Sequence, residues 1–345
     1  GLVDFNRDRL LPMMYSNEMP YLLKGDIDQD GADEIYMDGG KDQPGKFLHI
    51  GIEKIDFFES DALSKLALAE ETKGALFDAD GDSDLDFYMA TGGRFFPNIS
   101  NAQADKIFLN DGKGTLTESP YPLPFGAFST SMVMPIDFDK DRDLDLLVGE
   151  RFDPFVYGFE GRGFLLQNDG KGQFEDVTSN YAPDLLNIGM ITDAAIVDFD
   201  SDGWEDVMIV GDWMPIIALR NDKEKFANVS ADLKLLNTEG WWHDIETADL
   251  NKDGKPDFVV GNQGLNSFFK PGDRMYFDDF DRNGSKEQIY CTQQGDKYFP
   301  LVDKDEFLSQ LPSFKKSLLY YKDYSKKSID ELFPGDILKD SKIYQ

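Results

Sequence analysis

Asp198-Phe199-Asp200-Ser201-Asp202-Gly203-Trp204-Glu205-Asp206 is the stretch that decides the fold of this chain. Acidic side chains stand at positions 1, 3, 5 and 9, and a glycine at position 6 lets the backbone turn. Carboxylates alternating around a tight turn converge on one point, and their repulsion opposes closure unless a cation lies among them. The phrase occurs six times. The other copies are Asp26-Ile-Asp28-Gln-Asp30-Gly-Ala32-Asp-Glu34, Asp78-Ala-Asp80-Gly-Asp82-Ser-Asp84-Leu-Asp86 and Asp137-Phe-Asp139-Lys-Asp141-Arg-Asp143-Leu-Asp145. Beyond loop four come Asp249-Leu-Asn251-Lys-Asp253-Gly-Lys255-Pro-Asp257 and Asp279-Phe-Asp281-Arg-Asn283-Gly-Ser285-Lys-Glu287. One such turn alone is readily a solvated loop; six in a regular series are not.

Loops one to five begin at residues 26, 78, 137, 198 and 249, spacings that suit one four-stranded propeller blade per repeat. Short apolar runs flank each loop, such as Ala194–Val197 before and Leu144–Val148, Asp206–Val210 and Asp257–Val260 after. Rich in β-branched residues and closed by glycine, they read as strands. Between the acidic loops a second phrase recurs, Ile107-Phe-Leu-Asn-Asp-Gly and Phe164-Leu-Leu-Gln-Asn-Asp-Gly, with a decayed copy from Ile217 to Phe226. Asp-Gly between apolar runs is a hairpin signal because the turn needs positive φ. Each unit therefore reads strand, acidic loop, strand, connection, strand, tight turn, strand. The expected fold class is all-β: a β-propeller over residues 1–300 with five to six blades in this chain and seven in the intact protein. Residues 301–345 read as a helical insertion or tail, opened by the capping box Asp303–Glu306 and leading into a further strand at Lys342–Tyr344.

Oxygen ligands at positions 1, 3, 5 and 9, with a main-chain carbonyl at position 7, suit Ca²⁺, a hard cation that takes six to eight oxygens in flexible geometry. The position-7 carbonyls belong to Ala32, Asp84, Asp143, Trp204, Lys255 and Ser285. Zinc would want His or Cys, and the chain has 2 His and 1 Cys. An EF-hand is excluded, since its twelfth residue is a bidentate Glu and here that place is apolar and within a strand: Met37, Met89, Val148, Ile209, Val260 or Tyr290. Up to six structural calcium ions are expected. Ser83 and Arg142 replace glycine at position 6, so loops two and three should be strained or turn differently. Loop four, with four carboxylates and Gly203, should be the best-ordered site, and loop six, with three acids and only 30 residues behind loop five, the weakest. Asp4–Asp8 resembles a seventh copy without the turn glycine or the position-9 acid.

Composition bounds the partners. The net charge of −31, from 66 acidic against 35 basic residues, repels a phosphate backbone and excludes nucleic acid as the expected partner. Cys291 is the single cysteine, so no intrachain disulfide forms, and metal would serve as the staple. No apolar run has the length of a membrane span, so membrane association would need an anchor outside this chain. The sequence opens on Gly1 without a signal-peptide pattern, which reads as a mature, trimmed or partial segment.

At its acidic loops the sequence resembles the FG-GAP/VCBS repeat family, and Gly211-Asp-Trp-Met-Pro215, Gly240-Trp-Trp242, Gly261-Asn-Gln-Gly-Leu-Asn266 and Gln310-Leu-Pro312 resemble bacterial surface proteins of the ASPIC/UnbV-associated group. The resemblance implies a calcium-binding propeller at an extracellular or outer-membrane surface. The function expected is binding or scaffolding, with a glycan or a surface protein as partner. Trp213, Trp241 and Trp242 are candidates for an aromatic platform under sugar rings, and Asn262 and Asn266 for its amide hydrogen bonds; packing between blades is the alternative for the tryptophans. The competing expectation is a propeller-type polysaccharide lyase or hydrolase. Its only candidate base is His243, beside Trp242 and Asp244. An open pocket shared with Arg or Tyr would favour the enzyme, and burial between blades would oppose it. His49, the other histidine, carries no such expectation.

Overall fold

The computed structural model describes residues 3–11, 13–15, 20–50, 55–58, 60–93, 100–153, 155–264 and 267–345. Its strands follow the unit predicted from the repeat. The first sheet holds β1 (Leu22–Gly25), β2 (Glu34–Met37), β3 (Lys46–Ile50) and β4 (Ile55–Phe58). The second holds β5 (Glu71–Phe77), β6 (Asp86–Thr91), β7 (Lys106–Leu109) and β8 (Thr117–Glu118). The third holds β9 (Ser129–Ile136), β10 (Asp145–Phe152), β11 (Gly163–Asn168) and β12 (Phe174–Asp176). The fourth holds β13 (Met190–Val197), β14 (Asp206–Met214), β15 (Ile217–Asn221) and β16 (Phe226–Asn228). In each, strands pair antiparallel in chain order, and the acidic loop joins the first strand to the second.

The fifth unit departs from the pattern. It consists of β17 (Gly240–Ala248) and β18 (Asp257–Asn262), and β17 also pairs with the end of β14 through Asp212↔Trp241 and Met214↔Gly240. The sixth holds β19 (Arg274–Asp278), β20 (Glu287–Gln294) and β21 (Lys297–Pro300), with β22 (Lys342–Tyr344) on the far side of β19. The strand expected at Lys342–Tyr344 is therefore formed. It pairs with the first strand of its sheet, whereas the fourth strand of the other sheets pairs with the third.

First strands lie beside first strands: β1 against β5, β5 against β9, β9 against β13, β13 against β17. That side-by-side succession of four-stranded antiparallel sheets is a propeller-like architecture. Hydroxyls stitch it together. Thr72 Oγ1 donates to Thr130 O at 2.5 Å, Ser131 Oγ to Ile191 O at 2.6 Å and Thr192 Oγ1 to Trp242 O at 2.8 Å. Each of the three donors sits six residues before its acidic loop and reaches the first strand of the next sheet. Apolar layers fill the gaps: Tyr88, Ile107, Leu146 and Phe164 between sheets two and three, and Leu147, Leu165, Ile191 and Ile209 between three and four.

Residues 301–345 are mostly helical. The Asp303 carboxylate accepts from the N–H groups of Asp305 and Glu306, capping the helix Lys304–Gln310. Single helical turns follow at Tyr321–Tyr324, Ile329–Leu332 and Ile337–Asp340. The continuous helix that the spacing of Tyr321, Tyr324 and Leu332 suggests is broken at Ser328, whose own capping box with Glu331 starts a new turn. Phe307, Leu311, Ile329 and Phe333 share one core with Tyr276, Ile289 and Cys291 of sheet six.

Candidate functional site

Five of the six acidic loops draw three carboxylates together, one ligand atom of each lying within 4.8 Å of the others. The residues are those at positions 1, 3 and 9: Asp26, Asp28 and Glu34; Asp78, Asp80 and Asp86; Asp137, Asp139 and Asp145; Asp198, Asp200 and Asp206; Asp279, Asp281 and Glu287. Backbone geometry imposes this. Position 4 (Gln29, Gly81, Lys140, Ser201, Lys252, Arg282) and position 6 both have positive φ, so two left-handed residues curl each loop. The sequence points to position 6 only. Ser83 and Arg142 take φ of +72° and +83°, the strained turn expected where glycine is replaced.

Hydrogen bonds divide the labour within a loop. In loop four, Asp198 accepts from the N–H groups of Asp202 and Gly203, and Asp202 accepts from Trp204 N. Position 9 is the buried anchor. Asp206 Oδ2 accepts from Phe199 N at 3.1 Å and Oδ1 from Asn221 N at 2.8 Å, with Asp86 and Asp145 bonded alike. Position 5 (Asp30, Asp82, Asp141, Asp202) lies outside the groups of three and closes the turn by accepting from the position-7 N–H. The position-7 residues Ala32, Asp84, Asp143, Trp204, Lys255 and Ser285 donate in these bonds.

Burial pushes the anchors up: Asp206 to about 6, Asp86 to about 7, Asp145 and Glu287 to about 8, against the pull of their backbone hydrogen bonds. Asp80, Asp137 and Asp281 each keep a buried carboxylate oxygen without a hydrogen-bond partner, as do Asp84, Asp143 and Glu287. The converging carboxylates of positions 1, 3 and 9, with unsatisfied oxygens on Asp80, Asp137, Asp281 and Glu287, fit a hard divalent cation such as calcium, which makes no strict directional demands. Bound there, it would offset the burial, and the lesser mutual repulsion, that raise these carboxyls.

Loop six gathers its acids as loop four does, so geometry does not support the weak rank its shortened spacing suggests. Loop five is the outlier. Its position 3 is Asn251, so positions 1, 3 and 9 supply two carboxylates, Asp249 and Asp257, and Asn251 Nδ2 donates to Asp253 Oδ2 at 3.1 Å. At the amino end Asp8 takes Gln288 Nε2 at 2.6 Å, and no metal group forms there among the described residues.

Sequence reasoning missed the asparagines of the Asn-Asp phrase. Asn110 Nδ2 donates to Ile27 O, Asn168 Nδ2 to Ala79 O and Asn221 Nδ2 to Phe138 O, at 2.7–2.8 Å. Each acceptor is the position-2 carbonyl of the preceding sheet's acidic loop. Each asparagine therefore ties its own anchor, through its backbone N–H, to the loop next door. The recurrence of Asn before Asp-Gly was the available signal; the hairpin alone requires only the turn residues.

A cleft of about 340 Å³ gathers three of the predicted ligand residues, Trp213, Trp241 and Asn262, with Phe269 beside them. Trp213 and Trp241 cross edge-to-face at 5.2 Å, and both are over nine-tenths buried. Neither indole Nε1, each shielded from solvent, has a hydrogen-bond partner among the described residues. Trp213 stands at a register shift of β14 with φ of +59°, a strained conformation for a bulky side chain. Gly240 is required by close approach, since a Cβ there would meet the Trp242 ring at 2.8 Å and the Asn262 amide at 3.0 Å. Trp242 is not part of the cleft, contrary to the expected platform. Its Nε1 donates to Thr238 O at 2.9 Å and its ring packs against the core of Met208, Val210 and Ile245. Asn266 lies outside the described residues.

His243 lines a different cavity of about 640 Å³, together with Arg151, Tyr15, Tyr21, Lys73 and Asp244. Its Nε2 lies 2.6 Å from Gln263 Oε1. Arg151 is bound to Asp212 at 3.1 Å, and burial pushes the Tyr15 and Tyr21 phenols upward. His49 bonds the loop-one anchor Glu34 at 2.9 Å, in the place that an asparagine N–H takes in sheets two to four.

The FG-GAP-like repeat family matches residues 78–148 and 198–260. The chain carries FG-GAP-like repeats. Each matched FG-GAP-like segment starts on a position-1 aspartate, Asp78 or Asp198, and runs through the following acidic loop into the strand beyond it. No curated protein matches the chain. Among solved structures it is similar to a lectin of Agrocybe aegerita described as recognising non-reducing terminal N-acetylglucosamine, with 16% identity over 71% of this chain and a TM-score of 0.46. It is also similar to the Tc holotoxin pore of Photorhabdus luminescens, with 12% identity over 82% of this chain and a TM-score of 0.32. The chain covers 60% of the lectin and 14% of the pore chain.

Proposed function

We propose that this chain is a calcium-stabilised binding module of an extracellular or outer-membrane surface, not an enzyme, and that it recognises a neutral glycan in the Trp213–Trp241 cleft. The observation that carries the reading is the cleft walled by the crossed Trp213 and Trp241 rings, with Phe269 and the Asn262 amide beside them. Sugar hydroxyl and acyl oxygens supply acceptors, and the apolar face of a pyranose packs on aromatic rings. The net charge of −31 opposes an acidic polysaccharide as it opposes nucleic acid. The surface location follows from the calcium reading, because extracellular loops of this type bind with dissociation constants of about 10⁻⁴–10⁻³ M and fill only where calcium is abundant. Phrases such as Gly211–Pro215 support a place in the ASPIC/UnbV-associated group.

A glycan-binding screen with and without calcium tests the proposal, followed by Asn262→Ala, which removes the exposed amide beside the cleft's rings. Binding should weaken about tenfold while the melting temperature stays within a few degrees. Binding to no neutral glycan, or unchanged binding by the variant, would refute it.

The enzyme reading draws support from His243, which lines an open cavity with Arg and Tyr. Against it, Arg151 is already paired and the tyrosines are shifted away from the ionised form that a base needs. Depolymerisation of a uronate-containing polysaccharide, abolished by His243→Ala, would establish the enzyme instead.

A further inference from the structure

In sheets one to four the second strand is covered on its outer edge by a third. Among the described residues β18, the second strand of unit five, pairs with β17 alone. The consequence appears residue by residue. Leu146, Leu147 and Val148 of β10 are buried, as are Val207, Met208 and Ile209 of β14. Their counterparts in β18 are Phe258, Val259 and Val260, of which Val259 is 52% exposed and the other two are half-buried. The anchor follows suit: Asp86, Asp145 and Asp206 are at most 1% exposed, whereas Asp257 is half-buried. An apolar strand with an open edge is a template for strand addition.

We propose that the edge of β18 is a docking site for an extended segment of a partner polypeptide, which completes unit five and buries its anchor Asp257. The interface needed is already formed elsewhere in the molecule, second strand against third, and its register specifies the occupant. In sheet three, Phe164, Leu165 and Leu166 face Val148, Leu147 and Leu146, and Asn168 follows. Asn168 donates through its backbone N–H to Asp145 Oδ1 and through Nδ2 to Ala79 O and Leu144 O. Transferred to unit five, three apolar residues would face Val260, Val259 and Phe258, and an asparagine would meet Asp257 Oδ1, Phe199 O and Pro256 O. Asp257 meets its own loop through Oδ2, receiving Leu250 N and Asn251 N, as Asp145 receives Phe138 N through its Oδ2. The site thus fits an extended apolar strand ending in Asn, with lysine after it to meet the acidic loop, as Lys171 follows Asn168. This inference does not rest on the glycan reading.

The test uses a free peptide with the sequence of Gly163–Asp176 titrated into the whole chain, followed by calorimetry and amide hydrogen exchange. Saturable binding is expected, with new protection at Phe258–Gly261. Asn168→Ala in the peptide should weaken binding about tenfold. Val259→Asp in the protein should abolish it and leave the melting temperature in place, because that side chain already faces solvent. Absence of saturable binding at millimolar peptide would overturn the proposal, as would protection on another strand or indifference to both changes. Self-association through Val259 that the peptide cannot displace would overturn it in favour of a second copy of this chain.

Discussion

Removing calcium should lower the melting temperature by on the order of 10 °C, and the figure follows from the five carboxylate groups. A dissociation constant of about 10⁻⁴–10⁻³ M per loop, at about 10 mM calcium, gives roughly 1.4–2.7 kcal/mol per site by mass action. Five sites then contribute roughly 7–13 kcal/mol. At about 2.1 cal/mol/K of unfolding entropy per residue, one kcal/mol moves the midpoint of a chain this long by about 1.4 °C, so full chelation shifts it by about 10–18 °C. Differential scanning calorimetry in chelator, then with calcium or magnesium restored, reads this directly. Calcium should recover the shift and magnesium only a small part, since the loops offer flexible oxygen cages and not a strict octahedron. Single-loop variants partition the effect: Asp200→Ala and Asp281→Ala should each remove about a fifth of it, and Asp253→Ala in loop five much less. An unchanged melt after thorough chelation would refute the reasoning, and a loop-five variant as costly as a loop-four one would refute the ranking.

Calcium binding near pH 7 should release protons, because Asp86, Asp145 and Glu287 sit at about 7 to 8 before the metal arrives; titration in two buffers of different ionisation enthalpy will show it, and apparent affinity should rise from pH 6 to 8. Asn168→Ala strips donors from the buried carbonyl of Ala79 and the half-buried one of Leu144 and should cost about 2–4 kcal/mol in urea unfolding, whereas a role confined to the hairpin would cost well under 1. Asp105 is buried under hydrogen bonds from Thr130, Thr91 and Tyr88, and burial raises it to about 6. Its folded value exceeds its unfolded one, so wild type should lose about 3 kcal/mol relative to Asp105→Asn between about pH 4 and pH 6, and a pH-independent difference would contradict this.

Period and composition alone determined much of this protein. Nine-residue acidic phrases at spacings near one blade fixed the order of strand, loop and strand, because short β-branched runs closed by glycine flank each carboxylate-lined turn. The Asp-Gly turns likewise placed the hairpins β7–β8 and β11–β12, where Gly112 and Gly170 take the positive φ such turns require. Tertiary structure decided what depends on neighbours distant in sequence. That Thr72, Ser131 and Thr192 stitch adjacent first strands, and that Asn168 reaches the loop of another sheet, depends on through-space register that no local pattern encodes. The three tryptophans are alike in sequence, yet the bulge at Trp213 turns one ring toward Trp241 in the cleft while Trp242, one residue on along an alternating strand, falls on the opposite face and packs into the core. Loop five carries Asn251 where its siblings have aspartate at position 3, which leaves it two carboxylates at the ligand positions, and its anchor Asp257 stays half-buried. The strand and asparagine that bury the anchor in sheets two to four are contributed from elsewhere in the chain, and among the described residues unit five has neither.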